Sequence, residues 1–153
     1  MRYLALDVGD ERIGVAVSDA GGLIARPLEV IRRVRGSASF ERIMELIAAY
    51  RGTTDVVAIV VGWPLLPDGS EGAQVRSTAA YIEGLRRYMG RLGFQDLPII
   101  RYDERDSTAR AQELVADSGR HRDDLDAVAA AVILEAFLNE RAERWPLREE
   151  GNP

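Results

Sequence analysis

Val56-Val57-Ala58-Ile59-Val60-Val61 is a run of six apolar residues with no polar alternation, closed by Gly62. A strand with one wet face alternates apolar and polar residues; an unbroken β-branched run belongs to a strand covered on both faces. Such a strand obliges the rest of the chain to supply a layer on each side, which points to an α/β sheet sandwiched by helices.

The flanking pattern supplies those layers. A first strand is expected over Arg2–Val8, then the turn Gly9-Asp10-Glu11-Arg12, then a second strand over Ile13–Ser18. There Ile13, Val15 and Val17 alternate with the small Gly14, Ala16 and Ser18. Asp19-Ala20-Gly21-Gly22 is a further turn, and Leu23–Val34 can furnish a third strand, giving an antiparallel meander. Phe40, Ile43, Met44, Ile47 and Ala48 then make a helical stripe, with Ser37 or Ser39 as N-cap and Gly52 as terminator. A loop over Trp63–Gly72 leads to a helix carrying Val75, Ala79, Ile82 and Met89 on one face. Pro98–Tyr102 reads as a fifth strand, and helices are expected over Ser107–Ala116 and Asp124–Arg141. The reading is α/β: a five-stranded mixed sheet, three strands antiparallel and two parallel, with helices on both faces. Residues 1–141 form one domain, and 142–153 are a polar tail.

Composition narrows the function. The chain of 153 residues suits one domain with a real core. It has no cysteine, so disulfides and thiolate metal sites are excluded and any dimer is non-covalent. No signal-type segment or membrane-spanning run is present, and a cytoplasmic location is expected. Lysine is absent, so every side-chain cation other than a protonated histidine is an arginine able to grip phosphate through a bidentate fork. The net charge of −5 argues against a tight, sequence-blind nucleic-acid binder, but leaves room for a nuclease with acids in a cleft and arginines on its rim.

The chemistry is carried by acids in apolar settings. Asp7 interrupts Leu4-Ala5-Leu6-Asp7-Val8, where an unpartnered charge would cost several kcal/mol. Asp126 heads a stripe continued at i+4, i+7 and i+11 by Ala130, Ile133 and Phe137, which turns its carboxylate toward the core. Asp123 and Asp124 instead read as N-cap and first-turn residues. Glu104 follows the fifth strand on the side of Ile100 and Tyr102, at the kind of strand end where open α/β sheets bind ligands. Each acid alone is equally readable as a surface ion pair. Together, three carboxylates drawn from distant segments are the oxygen donor set of a hard divalent cation, Mg²⁺ or Mn²⁺, in phosphodiester hydrolysis.

Four motifs occur in order along the chain: Ala5-Leu6-Asp7-Val8-Gly9 with Arg12-Ile13-Gly14-Val15-Ala16; Val61-Gly62-Trp63-Pro64 with Asp68-Gly69-Ser70; Asp103-Glu104-Arg105; and Asp126-Ala127-Val128-Ala129-Ala130. In these the chain resembles the YqgF/RuvX family, RNase H-fold proteins described as Holliday junction resolvases and as nucleases maturing the small-subunit ribosomal RNA precursor. The resemblance implies an RNase H-like fold, catalytic and metal-ligating Asp7, Glu104 and Asp126, and a substrate of branched DNA or structured RNA, with pre-ribosomal particles and a second copy of the chain as partners. Arg12, Arg105 and Ser70 are the substrate-binding candidates. The chain departs from the family pattern at Asp10 and Glu11, where threonine or lysine and then lysine are usual, and at Asp106, Ser107 and Thr108 after the Asp-Glu-Arg motif. Extra acid there would weaken phosphate approach or adjust metal affinity.

The remaining features have plainer readings. Ser70 serves equally as the cap of the second helix. Trp63 is favoured as core over a base-stacking platform. His121 reads as a surface histidine, and Arg32, Arg33 and Arg35, like Arg86, Arg87 and Arg91, as solvated faces. The Asp7-Val8-Gly9 hairpin is also found in actin-like ATPases, which need two such domains around one nucleotide. A non-catalytic RNA-binding or ribosome-assembly factor on the same fold is the rival from another class.

Overall fold

The computed structural model describes residues 1–103 and 122–144; Glu104, Arg105, His121, the expected helix at 107–116 and residues 145–153 lie outside them. The elements in chain order are β1 (Arg2–Val8), β2 (Arg12–Ser18), β3 (Ala25–Arg32), α1 (Ala38–Ala48), β4 (Val56–Trp63), α2 (Ala73–Arg91), β5 (Ile99–Asp103) and α3 (Arg122–Arg144). The strands form one sheet in the order β3-β2-β1-β4-β5. β1, β2 and β3 are antiparallel neighbours, and β4 and β5 run parallel to β1, as the mixed-sheet reading expected.

The two faces of this sheet are built differently. Leu4, Leu6 and Val8 of β1, Ile13, Val15 and Val17 of β2, and Ile59 and Val61 of β4 face α1 and α2. They meet Ile43, Met44 and Ile47 of α1 and Ile82, Leu85 and Met89 of α2. On the opposite face Tyr3, Ala5, Ala16, Ala58 and Val60 meet Ala130, Ala131, Ile133, Leu134 and Leu138 of α3. The alternation of large and small residues seen in β2 thus has a cause: the small side chains lie under a helix that presses closely on the sheet. The stripe read from Asp126 is correct, because Ala130, Ile133 and Phe137 all pack on this face. The opposite side of α3 is also buried at Val128, Ala129 and Val132.

The structure adjusts the expected elements at several points. The third strand occupies Ala25–Arg32, narrower than Leu23–Val34; Leu23, Ile24 and Val34 are exposed. Pro27 is tolerated because β3 is an edge strand that need not donate on its outer side. Val57, inside the run that defines the central strand, is 38% exposed. The register explains it: Arg2 pairs with Val56 and Tyr3 with Ala58, so Val57 is the extra residue of a bulge and turns out of the ladder. α1 begins after Ser37 as expected, without a side-chain cap bond, and Gly52 takes φ +82° just beyond its end. α3 runs three residues past Arg141, to Arg144. Trp63 is buried, with the Arg101 guanidinium 4.3 Å from its ring centroid, which supports the core reading.

Candidate active site

The carboxyl ends of the parallel strands β1, β4 and β5 open at one end of the sheet, and the candidate residues gather there. β1 alternates Tyr3, Ala5, Asp7 toward α3, so Asp7 stands on the small-residue face, half-buried at the strand's end. It pairs with Gly14 on β2. On the other side Leu6 pairs with Val61, which places Gly62 beside Asp7, and Gly62 pairs in turn with Tyr102 of β5. Asp7 therefore stands between two glycines of the neighbouring strands, Gly14 and Gly62.

Gly14 also positions the second acid. A Cβ built there would overlap the carbonyl oxygen of Asp126, so the first turns of α3 lie directly against β2, backbone on backbone. Any larger residue would lift the helix. The Asp7–Gly14 pair and the Gly14–Asp126 contact bring the backbones of Asp7 and Asp126 to one residue, Gly14, although they are remote in sequence.

Arg12, the first residue of β2, reaches Asp126: its Nε lies 2.9 Å from Oδ2. The N–H is not aimed along that contact, so Oδ2, itself shielded from water, accepts no hydrogen bond among the described residues. A buried carboxylate oxygen with open lone pairs is a costly arrangement unless it has a ligand to bind. Asp7 and Asp126 are hard oxygen donors of the kind Mg²⁺ and Mn²⁺ take, and the orphaned oxygen fits such an ion. The described residues contain no cluster of three acids or histidines able to hold a metal, and the expected third ligand, Glu104, lies outside them. In β5, Ile100 and Tyr102 face α3, the side of Asp7, and Asp103 closes the strand at the same end of the sheet.

The turn between β1 and β2 is clamped from outside. The Arg33 guanidinium donates through Nη1 to the Gly9 carbonyl at 3.1 Å and to Ser77 Oγ at 2.9 Å, and through Nη2 to the Ser77 carbonyl at 3.1 Å. Ser77 Oγ donates to Asp10 Oδ1 at 2.7 Å, and Gln74 Nε2 to the Val8 carbonyl at 3.1 Å. The guanidinium also lies 5.0 Å from the Tyr81 ring centroid. Asp10 is engaged with α2 through Ser77. Sequence reasoning placed Arg33 in a solvated patch and passed over Gln74 and Ser77; no local pattern links β3's end to α2.

Ser70 departs from its expected role as cap. α2 is capped by Gly72, with no side-chain bond, so Ser70 is not the cap. Its N–H and O–H both donate to Asp68 Oδ1, at 2.9 and 2.6 Å, closing a tight turn within the loop. The hydroxyl and then the N–H hold the Asp68 carboxyl below the ordinary carboxylate range. A phosphate contact from the Ser70 hydroxyl would have to break that bond.

Known proteins match the chain throughout. The family model described as RuvX, Holliday junction resolvase, matches residues 1–140. A protein of Roseiflexus sp. named "Putative pre-16S rRNA nuclease" is 39% identical over 142 residues, covering 90% of this chain and 94% of its own. One of the same name from Desulforamulus reducens is 38% identical over 146 residues, covering 93% and 99%. Among solved structures, Thermus thermophilus RuvC in complex with a Holliday junction substrate aligns with a TM-score of 0.54 at 18% identity, over 92% of this chain and 95% of that one. A further Thermus thermophilus RuvC structure aligns at 0.51 and 19%, over 93% and 97%. At such identities the likeness establishes the RNase H-like fold. No helix among the described residues is long and apolar enough to cross a membrane.

Proposed function

The chain belongs to the RuvX family of Holliday junction resolvases, and from that premise we propose that it is a divalent-metal-dependent endonuclease acting on structured nucleic acid. Membership makes it a nuclease; dependence on Mg²⁺ or Mn²⁺, internal cleavage, and action on the 5′ end of the 16S precursor or on four-way junctions are the refinement offered. The observation that carries it is the convergence of the Asp7 and Asp126 backbones on Gly14, one acid carried by a central strand and the other by a buried helix rather than by loops.

Asp7 and Asp126, with Glu104 as third, would hold the cation. When bound, the cation polarises the scissile phosphate and makes water a better nucleophile. The chain's own residues do the rest. Arg12, 43% exposed at the rim, can offer its guanidinium fork to a phosphate oxygen pair, and Arg105 is the second arginine assigned there. The Arg33–Ser77–Asp10 clamp keeps the β1–β2 turn, and with it the ends of both strands, from shifting when substrate binds.

The test is cleavage by the purified chain of a four-way DNA junction and of a 16S-precursor RNA fragment, side by side, with Mn²⁺, with Mg²⁺ and with chelator. Metal-dependent cuts that disappear in Asp7→Asn and Asp126→Asn, with circular dichroism unchanged, are expected. Full activity in chelator, or in Asp7→Asn, would refute the assignment. RNA binding with no cleavage under any metal would favour the assembly-factor alternative.

A further inference from the structure

Consecutive arginines at the end of β3 go to opposite faces of the sheet. Arg33 turns toward α2, where it holds the β1–β2 turn through Gly9 and Ser77 and lies against the Tyr81 ring. Ile31 is buried against α1 and α2. Arg32, between them, therefore stands on the α3 face, as strand alternation requires. Its cross-strand partner is Arg12, the arginine that reaches Asp126. The neighbouring residues are bonded through backbone, Arg33 N–H donating to the Glu11 carbonyl at 2.8 Å. Arg12 and Arg32 are thus a non-hydrogen-bonded pair, the kind whose side chains lie closest. We propose that Arg32 is a substrate-binding residue that grips a backbone phosphate beside the scissile one, so that the nucleic-acid strand passes from the acids across the end of β3. The inference rests on the nucleic-acid part of the reading above, not on its metal, and asks nothing of Arg12 but its place.

Three observations favour a phosphate over the plainer roles of an exposed arginine. Arg32 is exposed, and among the described residues it makes no hydrogen bond or ion pair, even with Asp124, which lines a small cavity with Val30 on the same face. Nor is it needed to guard the open edge of the sheet. Pro27 already withholds a donor there, and Val15 pairs with Glu29 while Ala16 pairs with Pro27, which leaves Leu28 as a bulge. Finally, like charges directly opposite one another weaken a sheet, so a second arginine facing Arg12 is a small cost to the free chain that a bound anion offsets. The planar fork of arginine matches two phosphate oxygens at once.

Affinity of the full chain for the four-way junction and for the 16S-precursor fragment, measured over a salt series in chelator, separates binding from cutting. Arg32→Gln is expected to weaken both about 5-fold, the upper end for an exposed ion pair. It should also reduce the slope of log affinity against log salt by about 0.7–0.9, the equivalent of one phosphate contact. Arg32→Lys, which keeps the charge, should keep that slope, and Arg86→Gln, which removes the same charge from the exposed surface of α2, should match wild type. In turnover with Mn²⁺, Arg32→Gln should raise KM and leave kcat nearly unchanged. Its melting temperature without nucleic acid should stand at or above that of wild type, because a like-charge pair is relieved. Wild-type affinity and salt slope in Arg32→Gln, an equal loss in Arg86→Gln, or a melting temperature several degrees lower in Arg32→Gln overturns the assignment and leaves the metal site standing. Binding by wild type without cutting under any metal overturns the metal-dependent reading and leaves Arg32 judged by the salt slope. Absence of nucleic-acid binding by wild type, in chelator and with Ca²⁺ alike, overturns both.

Discussion

The two faces of the sheet use opposite solutions to the same packing problem. Beneath α1 and α2 the sheet presents leucine, isoleucine and valine to a helix layer equally rich in large residues. Beneath α3 it presents glycine and alanine to a helix itself rich in alanine, and that face ends in Asp7 and Asp126. Large side chains bury more area and stabilise more, but they interdigitate with some freedom to repack. Small ones bring backbone against backbone, where position is set with almost no slack. The first face holds the fold, and the second sets the distance between two acids.

Substitutions can test that division. Gly14→Ala should have the broadest effect, on stability and on cleavage together, because the added methyl meets the backbone at Asp126 and not a side chain that could rotate away. About 3 kcal/mol of stability, the upper end for overpacking, should be lost in chemical denaturation, together with cleavage. If the variant is as stable and active as wild type, the close-contact account of the α3 face is wrong. Leu6→Ala, fully buried on the other face, should cost about 2–5 kcal/mol in the same assay yet leave activity per folded molecule intact. Loss of both in proportion would erase the distinction between the faces.

The alkaline pH response should draw mainly on the α1–α2 face. Burial pushes the Tyr81 hydroxyl up to about 12, against the lowering by its bond to Ser39 Oγ at 2.9 Å and by Arg33. The unfolded tyrosine ionises near 10 while the folded one keeps its proton, so the unfolded state binds fewer protons and stability falls as pH rises from about 10 to 12. The loss should reach roughly 2 kcal/mol. Denaturant midpoints followed over this range should flatten in Tyr81→Phe, although Tyr3, raised in the same direction by burial, retains part of the slope. A slope identical in Tyr81→Phe would count against this origin.

Smallest of all should be Arg42→Ala at the surface. The Arg42 hydrogen bonds lower the Glu29 carboxyl below its ordinary range, so that pair contributes above the unfolded pKa of Glu29 and fades as pH falls through the folded one. The two groups are exposed to solvent and screened, so any change in melting temperature should vanish at high salt.

Much of this was legible in the residues. The unbroken run Val56–Val61 demanded a doubly covered strand, and the large–small alternation of β2 marked two unlike faces. Asp7 and Asp126 stood out because each is a charge at a position whose periodicity is apolar. What could not be read locally came from long-range pairing. The bulge that exposes Val57 exists only in the register of β4 against β1. The Arg33 clamp joins the end of β3 to α2 across 44 residues, and the Ser70 hydroxyl turns back to Asp68 where capping chemistry would send it into the helix.

Periodicity, then, assigned the sheet, its layers and the identities of the acids, because the alternation of a strand and the 3.6-residue turn of a helix are written in side-chain order alone. Which oxygen faces which cation was decided by folding. Gly14 sets how near α3 comes to β2, and that spacing places Arg12 against Asp126. Such a distance is a property of two backbones in contact, and neither segment encodes it without the other.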